Sequence, residues 1–204
     1  ALLKDAGASN IRLIAIVAAL EGVARIGDRF PEVPVYTAGL DRELDPDLER
    51  VAGREQSIFT LDAAALAGFS AGEPGRFGQR FKGVRIPTLA SFAAWLKARP
   101  ALRAFIELKV ESLEHHGRAP MLAACRAALA PAAGQWAVIS YDYEVLALAR
   151  ATGSEELGWV VRAFDDEVAA QARRLDPRWL FRRHQRMAPG PLPPGPWDWV
   201  LYEV

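Results

Sequence analysis

The chain has 204 residues, half of them hydrophobic, which is enough for one domain with a sizeable core. Its 25 basic and 25 acidic side chains balance, so charge gives no argument for binding nucleic acid or an anionic membrane surface. The single cysteine, Cys125, excludes an intrachain disulfide and a cysteine-based metal site. No apolar run has the length of a membrane span, and residues 1–5 do not read as a signal peptide. We therefore expect a cytoplasmic protein, although the sequence lacks an initiator methionine and reads like part of a longer chain.

The first elements predict a parallel crossover. Residues 1–7 read as the end of a helix, and residues 11–19 form an apolar run rich in β-branched side chains, typical of a buried strand. An amphipathic helix is predicted over 21–30 and a second strand over 33–38. A strand, a helix and a strand at such short spacing indicate a right-handed parallel connection.

The middle of the chain predicts two capped helices around a long loop. Thr60 is the expected cap of a helix over 61–67, and Thr88 of a helix that ends at Lys97. Between them, residues 68–87 are rich in Gly, Arg and Phe, and a loop of this length in a compact domain is usually functional.

The second half alternates strands and helices. Strands are predicted over 103–109, 135–141, 157–161, 178–182 and 198–204, and helices near 117–129, 142–152 and 165–174. Repeated β-α units predict an α/β fold with a TIM-barrel-like parallel sheet. A complete (β/α)8 barrel has eight strands, so seven predicted strands indicate a barrel that is incomplete or has a substituted first β-α-β unit.

Two opposite charges interrupt one of the apolar strands. Glu107 and Lys109 stand two residues apart, a spacing that places both side chains on the same face of a strand. Either they pair with each other for structural reasons, or they line a site at the carboxyl end of the strand. The spacing alone leaves both alternatives open.

Most of the chain resembles the glycerophosphodiester phosphodiesterases, in particular a bacterial subgroup. The resemblance covers residues 45–204 and rests on the order of eight short motifs. These are 45–50 (DPDLER), 59–62 (FTLD), 72–78 (GEPGRFG), 85–89 (RIPTL), 105–109 (FIELK), 138–142 (VISYD), 158–160 (GWV) and 199–204 (WVLYEV).

The first 44 residues resemble a different family, the uracil phosphoribosyltransferases. The motifs are 2–8 (LLKDAGA), 10–14 (NIRLI), 17–22 (VAALEG) and 35–41 (VYTAGLD). The chain is therefore interpreted as a chimera. Its 204 residues are expected to form one α/β domain, with a phosphoribosyltransferase-like β-α-β segment over 1–44 and a barrel segment over 45–204.

The phosphodiesterase resemblance implies a TIM barrel that hydrolyses glycerophosphodiesters with one divalent metal, Mg or Ca, and two acid–base histidines. It implies that Glu107 is a catalytic metal ligand and that Lys109 faces the phosphate. Arg182 is a further candidate phosphate contact, His184 matches a histidine of the subgroup, and Glu203 is a candidate site-lining carboxylate. The expected ligand is a small glycerophosphodiester or phosphate.

The chain departs from that family at the acid–base residues. The His-Arg pair of the family's first strand is absent, and Leu44 stands where the second histidine is expected. His115 and His116 are read as solvent-exposed, or otherwise as part of the site rim. We therefore expect weak metal binding and impaired hydrolysis. The alternatives are an inactive chimeric or designed scaffold and a residual anion binder. An unclosed sheet would favour self-association through its edges.

Overall fold

A computed structural model describes residues 13–15, 35–38, 57–72, 74–186 and 192–202. Within these ranges, seven strands form one parallel sheet in the order β1 to β7. They are β1 Leu13–Ala15, β2 Val35–Ala38, β3 Arg103–Glu107, β4 Trp136–Ser140, β5 Glu156–Val160, β6 Trp179–Arg183 and β7 Asp198–Tyr202. Each strand pairs with the next along the chain, which is the strand order of a β/α barrel. The predicted TIM-barrel-like α/β sheet and its seven strands are confirmed.

Helices connect the strands. They are α1 Ala63–Ala67, α2 Pro74–Phe77, α3 Leu89–Lys97, α4 Val110–His116, α5 Arg118–Leu129, α6 Tyr143–Thr152 and α7 Asp166–Leu175, with 3-10 turns at Ile58–Thr60, Ala130–Ala132 and His184–Arg186. The predicted helices over 1–7 and 21–30 lie outside the described residues. In the described part of the chain, no helix combines the length and apolarity needed to cross a bilayer.

Side-chain caps explain where several helices begin. Thr88, Asp142 and Asp165 each accept a hydrogen bond from the backbone N–H three residues later. The predicted caps at Thr88 and Asp142 are confirmed. The prediction of Thr60 as a cap is wrong, because the chain makes a 3-10 turn there and Asp62 accepts from Ala65 N at 2.7 Å instead.

The end of β3 also differs from the prediction. The strand stops at Glu107 instead of residue 109, and Lys109 stands directly before a helix, α4, that the sequence did not predict. Gly117, with φ of 84°, separates α4 from α5. This left-handed backbone suits glycine and lets two helices follow each other without merging.

The two faces of the sheet carry separate apolar clusters. One cluster joins alternate strand residues to the helices α3 to α7. The other contains strand residues alone and forms what we call the inner face: Phe105, Ala137, Ile139, Val160, Trp179, Phe181 and Val200, with Tyr141 and Tyr202 packed against it. Phe105 meets the rings of Trp179 and Phe181 edge-on at 4.8 and 5.0 Å. A face filled by strand side chains without helices corresponds to the packed interior of a barrel.

Candidate functional site

Glu107 and Lys109 form an ion pair at the carboxyl end of β3. Glu107 Oε2 lies 3.2 Å from Lys109 Nζ, and their side chains are only 12% and 20% exposed. Because Phe105 belongs to the inner face, Glu107 two residues later points to the same side. The carboxyl ends of the strands are where barrel enzymes place their active sites. The pair therefore lies where a site is expected. Its short contact also agrees with the alternative, in which the two charges pair with each other for structural reasons.

Hydrogen bonds to β4 hold the backbone just before Lys109. Leu108 N donates to Ile139 O at 2.9 Å, and the hydroxyl of the fully buried Ser140 donates to Leu108 O at 2.7 Å. The same Ser140 oxygen accepts from Asp142 N at 3.0 Å. These contacts fix the turn that presents Lys109.

Two tyrosines meet at the same end of the inner face. Their hydroxyl oxygens, on Tyr141 after β4 and Tyr202 at the end of β7, are 2.6 Å apart. Burial raises the pKa of Tyr202 above its usual range, and the hydrogen bond with Tyr141 raises it further. The negative charge of Glu107 adds to this increase and the positive charge of Arg183 opposes it, so both groups lie close enough to act on the phenol.

Two arginines, one just after β5 and one at the end of β6, complete the arrangement. The Arg162 guanidinium lies over the Tyr141 ring, 5.4 Å from its centroid, and Arg183 is in register with Tyr202 on the neighbouring strand. Arg183 follows the inner-face residue Phe181 at the two-residue period of a strand, and Arg162 stands in a bend two residues after the inner-face residue Val160. We call the whole set the inner-face cluster: Glu107, Lys109, Tyr141, Arg162, Arg183 and Tyr202.

The structure places Arg183, and not Arg182, on the inner face, beside Tyr202. Arg182 follows Leu180 by two residues and therefore shares its face of the sheet, and Leu180 is buried in the helix-facing cluster. The Arg182 guanidinium donates a hydrogen bond to Arg186 O at 2.7 Å. Arg182 therefore lies on the helix-facing side of the sheet, and the expectation that it faces the site is corrected. His184 is exposed in the 3-10 turn after β6. Glu203 and Leu44 lie outside the described residues.

Sequence reasoning missed Tyr141, Tyr202, Arg162 and Arg183. Strand periodicity could have found them, because each follows an apolar inner-face residue by two positions at a strand's carboxyl end. Their grouping depends on the pairing of neighbouring strands, which the sequence does not show.

His115 and His116 are exposed, as one of the two predictions for them states. They lie at the end of α4 opposite Lys109. His115 stacks on Phe59 with ring centroids 4.5 Å apart, and His116 meets the same ring edge-on at 5.8 Å. These contacts hold the Ile58–Thr60 turn against α4.

A divalent cation does not fit the donor set of the described residues. Magnesium and calcium take about six or more oxygen ligands, usually with several carboxylates. Within the described ranges, no group of three or more His, Cys, Asp and Glu side chains could hold a metal. In the inner-face cluster, Glu107 supplies the one carboxylate, Lys109 already pairs with it, and the other charged members are two arginines.

Comparison with known proteins gives different matches for the two parts of the chain. A family profile described as "Uracil phosphoribosyltransferase" matches residues 1–54, so the predicted junction near residue 44 lies inside the match. Similar curated proteins include the uracil phosphoribosyltransferases of Agrobacterium fabrum, 46% identical over 43 residues, and Lactiplantibacillus plantarum, 50% identical over 46 residues. These matches cover 21% and 22% of this chain and the same shares of the two relatives. The chain thus spans about a fifth of the length of the curated relatives it matches.

The fold matches a different protein. A phosphodiesterase from Oleispira antarctica, solved in complex with the product sn-glycerol-3-phosphate, superposes with a TM-score of 0.68 at 19% identity. The superposition covers 90% of this chain and 78% of the phosphodiesterase. The segment that is similar in sequence to uracil phosphoribosyltransferases contributes β1 and β2, and β2 pairs with β3 of the remaining chain. Two parts with different similarities therefore share one sheet, in agreement with a chimera.

Proposed function

We propose that the chain carries a site of the glycerophosphodiester phosphodiesterase type that binds glycerol phosphate and its diesters but hydrolyses them poorly. The observation that carries this proposal is the inner-face cluster, in which the Glu107–Lys109 pair shares the carboxyl end of the sheet with two tyrosine hydroxyls and two arginines. The bound sn-glycerol-3-phosphate of the Oleispira phosphodiesterase supports this ligand class.

The described residues account for binding. Lys109 is held by Glu107 and by the fixed backbone before it, so little side-chain freedom is lost when its ammonium contacts a phosphate oxygen. Arg183 lies at the same end of the inner face, beside Tyr202, and its positive charge adds to the attraction for an anion. Any divalent cation would bind weakly here, and no step of the proposal depends on one.

Impaired hydrolysis follows from the shortage of acid–base groups. Phosphodiester cleavage needs a group to activate the attacking water and one to protonate the leaving oxygen. The histidines of the chain are His115, His116 and His184, and all three are exposed on α4 or in the turn after β6. The raised pKa of Tyr202 keeps its phenol protonated near neutral pH, which makes it a hydrogen-bond donor and a poor base.

A scaffold without any ligand is the second candidate. It is favoured by the short ion pair, because Glu107 and Lys109 already neutralise each other. Such a pair can maintain the structure without taking part in binding. Ligand binding separates this candidate from the first.

The test combines a turnover assay with a binding measurement. Glycerophosphocholine is incubated with Mg or Ca and the release of sn-glycerol 3-phosphate is followed, while calorimetry measures sn-glycerol 3-phosphate binding. We expect measurable binding with little turnover. Lys109→Met should weaken binding at least about tenfold, since a hydrogen bond to a charged group contributes about 1.5–3 kcal/mol. The exposed Lys97, at the end of α3, provides the matched control Lys97→Met.

Two results would contradict the proposal. No binding with or without a cation would favour the inert scaffold. Rapid turnover that disappears in Glu107→Gln, with the variant still folded by circular dichroism, would show an intact enzyme and refute the predicted impairment.

A further inference from the structure

We infer that a basic patch on the loop before α3 docks the protein on an anionic membrane surface. The basic patch consists of Arg80, Lys82, Val84 and Arg85, and all four side chains are exposed. The whole chain carries no net charge, so the attraction comes from the local distribution of charge. The patch is separate from the inner-face cluster, and the inference does not rest on the proposed function.

Backbone contacts hold the loop that carries the patch in a fixed shape. An antiparallel bridge joins Ser70 to Arg85 and closes the base of the loop. Next to this bridge, Ala71 N donates to Val84 O at 2.7 Å, and Val84 N donates to Phe81 O at 3.1 Å. Because the backbone is already ordered, the loop loses little conformational freedom when it meets a partner.

The cations of the patch are not neutralised within the described part of the chain. Residues 74–88 contain four basic side chains and no acidic one. The Arg80 guanidinium lies over the Phe81 ring, 5.2 Å from its centroid, and Arg85 donates to the Gly68 carbonyl oxygen. Among the described residues, no carboxylate forms an ion pair with Arg80, Lys82 or Arg85. Their positive charges therefore remain for an anionic partner.

An apolar side chain stands among these charges. Val84 is 49% exposed, and behind it the half-buried rings of Phe77 and Phe81 meet edge-on at 5.2 Å. A membrane surface accepts both kinds of group, because apolar side chains enter the acyl boundary while Lys and Arg contact anionic headgroups. A nucleic acid backbone would use the charges but offers no apolar phase for Val84. The combination therefore favours an anionic lipid surface.

The patch belongs to a connection at the carboxyl end of the sheet. This connection follows β2 and ends at Thr88, the cap of α3, three residues after Arg85. In a β/α unit the helix runs back from the carboxyl end of one strand to the amino end of the next, so α3 begins at the carboxyl end. Docking through the patch would thus bring the end of the fold that carries the inner-face cluster toward the membrane.

The experiment is vesicle flotation, in which aggregated protein does not rise with the lipid. The vesicles contain phosphatidylcholine alone or with about 30% phosphatidylserine. We expect partition onto the anionic vesicles only, decreasing as the salt concentration rises. Arg80→Gln combined with Lys82→Gln should weaken partition at least about tenfold, since each basic side chain near the surface contributes about fivefold. Val84→Ser should weaken it about two- to fivefold.

Matched controls come from other exposed positions. Arg173 and Arg174 are exposed at the end of α7, so Arg173→Gln with Arg174→Gln changes the net charge by the same amount as the double patch variant. Leu192, 40% exposed, provides Leu192→Ser as the control for Val84→Ser. Both controls should leave partition unchanged. Thermal unfolding of every variant separates loss of docking from loss of fold.

Three results would overturn the inference. The first is no partition onto anionic vesicles at low salt. The second is an equal loss in the double patch variant and in the α7 control, which would show attraction without a defined surface. The third is binding of a single-stranded RNA that the double patch variant loses, without vesicle binding, which would assign the patch to nucleic acid. Binding of sn-glycerol 3-phosphate to the same variants should stay unchanged, so failure of this inference leaves the proposed function standing.

Discussion

Replacing Gly158 with alanine tests the packing that supports the site. Gly158 lies on β5 within the inner face, where a Cβ atom would stand 2.5 Å from Phe181 Cε2 and 2.8 Å from Ile139 Cγ2. Ordinary carbon–carbon contacts are about 3.5–4.0 Å, so the neighbours would have to retreat by about 1 Å. The absence of a side chain at Gly158 is therefore what allows the Phe181 ring to lie across β5.

Phe181 has little room to retreat. Its ring is buried and meets the buried Phe105 ring edge-on at 5.0 Å, and Phe105 in turn meets Trp179 at 4.8 Å. Overpacking a well-filled core costs about 1–3 kcal/mol. Reduced freedom of the unfolded chain returns about 0.4–1 kcal/mol to an alanine variant. We expect Gly158→Ala to lower the free energy of unfolding by about 1–2 kcal/mol.

Urea unfolding of both proteins, with midpoint and slope fitted together, measures this change. Gly75→Ala is the matched control, because Gly75 lies in α2 and no atom stands within 4 Å of the position of its Cβ. That variant should be neutral or slightly stabilised. If Gly158→Ala were as stable as Gly75→Ala, the packing of Phe181 against β5 would be wrong. The position of Arg183, two residues further along β6, would then be in doubt as well.

Three further predictions concern the turn after β4 and the sheet edges. Ser140→Ala removes the hydrogen-bond partner of the buried Leu108 carbonyl and of Asp142 N–H. It should lower the free energy of unfolding by about 1–3 kcal/mol, measured with urea. The control Ser91→Ala, at an exposed helix start, should lower it less. The hydrogen bond from Arg118 holds the pKa of Asp142 below its usual value, so its carboxylate stabilises the fold above about pH 4 and loses this effect as the pH falls through the lowered pKa. Asp142→Asn keeps a capping side chain and should therefore show a shallower loss of stability below about pH 4, and parallel acid profiles would contradict this. In the described sheet β1 and β7 are not paired with each other, and such edges predict self-association, so light scattering should give a mass above that of one chain. A monomer at high concentration would refute this.

Local sequence patterns predicted much of the fold. The apolar runs marked all seven strands of the described sheet, and the caps at Thr88 and Asp142 marked two helix starts. The patterns failed where charged and apolar residues mix without a clear period. The sequence predicts that the strand continues to Lys109, because Leu108 and Lys109 keep the two-residue alternation. In the structure the strand ends at Glu107 and a helix begins at Val110.

The candidate site was predicted less completely. Spacing alone placed Glu107 and Lys109 on one face, and their 3.2 Å contact agrees with that. For β6 the sequence does not show which of two adjacent arginines faces inward: the prediction names Arg182, and the structure places Arg183 there. A shift of one residue in a strand moves a side chain to the opposite face, so a choice between neighbours needs the observed packing.

The β/α alternation, the Glu107–Lys109 pair and the join between two kinds of segment can be predicted from the sequence, because each depends on residues close together in the chain. The hydrogen bond between Tyr141 and Tyr202, sixty-one positions apart, becomes visible only in the folded chain. Folding also brings Arg162 and Arg183 to the same end of the inner face. The physical reason is that parallel strands bring their carboxyl ends to one edge of the sheet, where residues distant in sequence become neighbours.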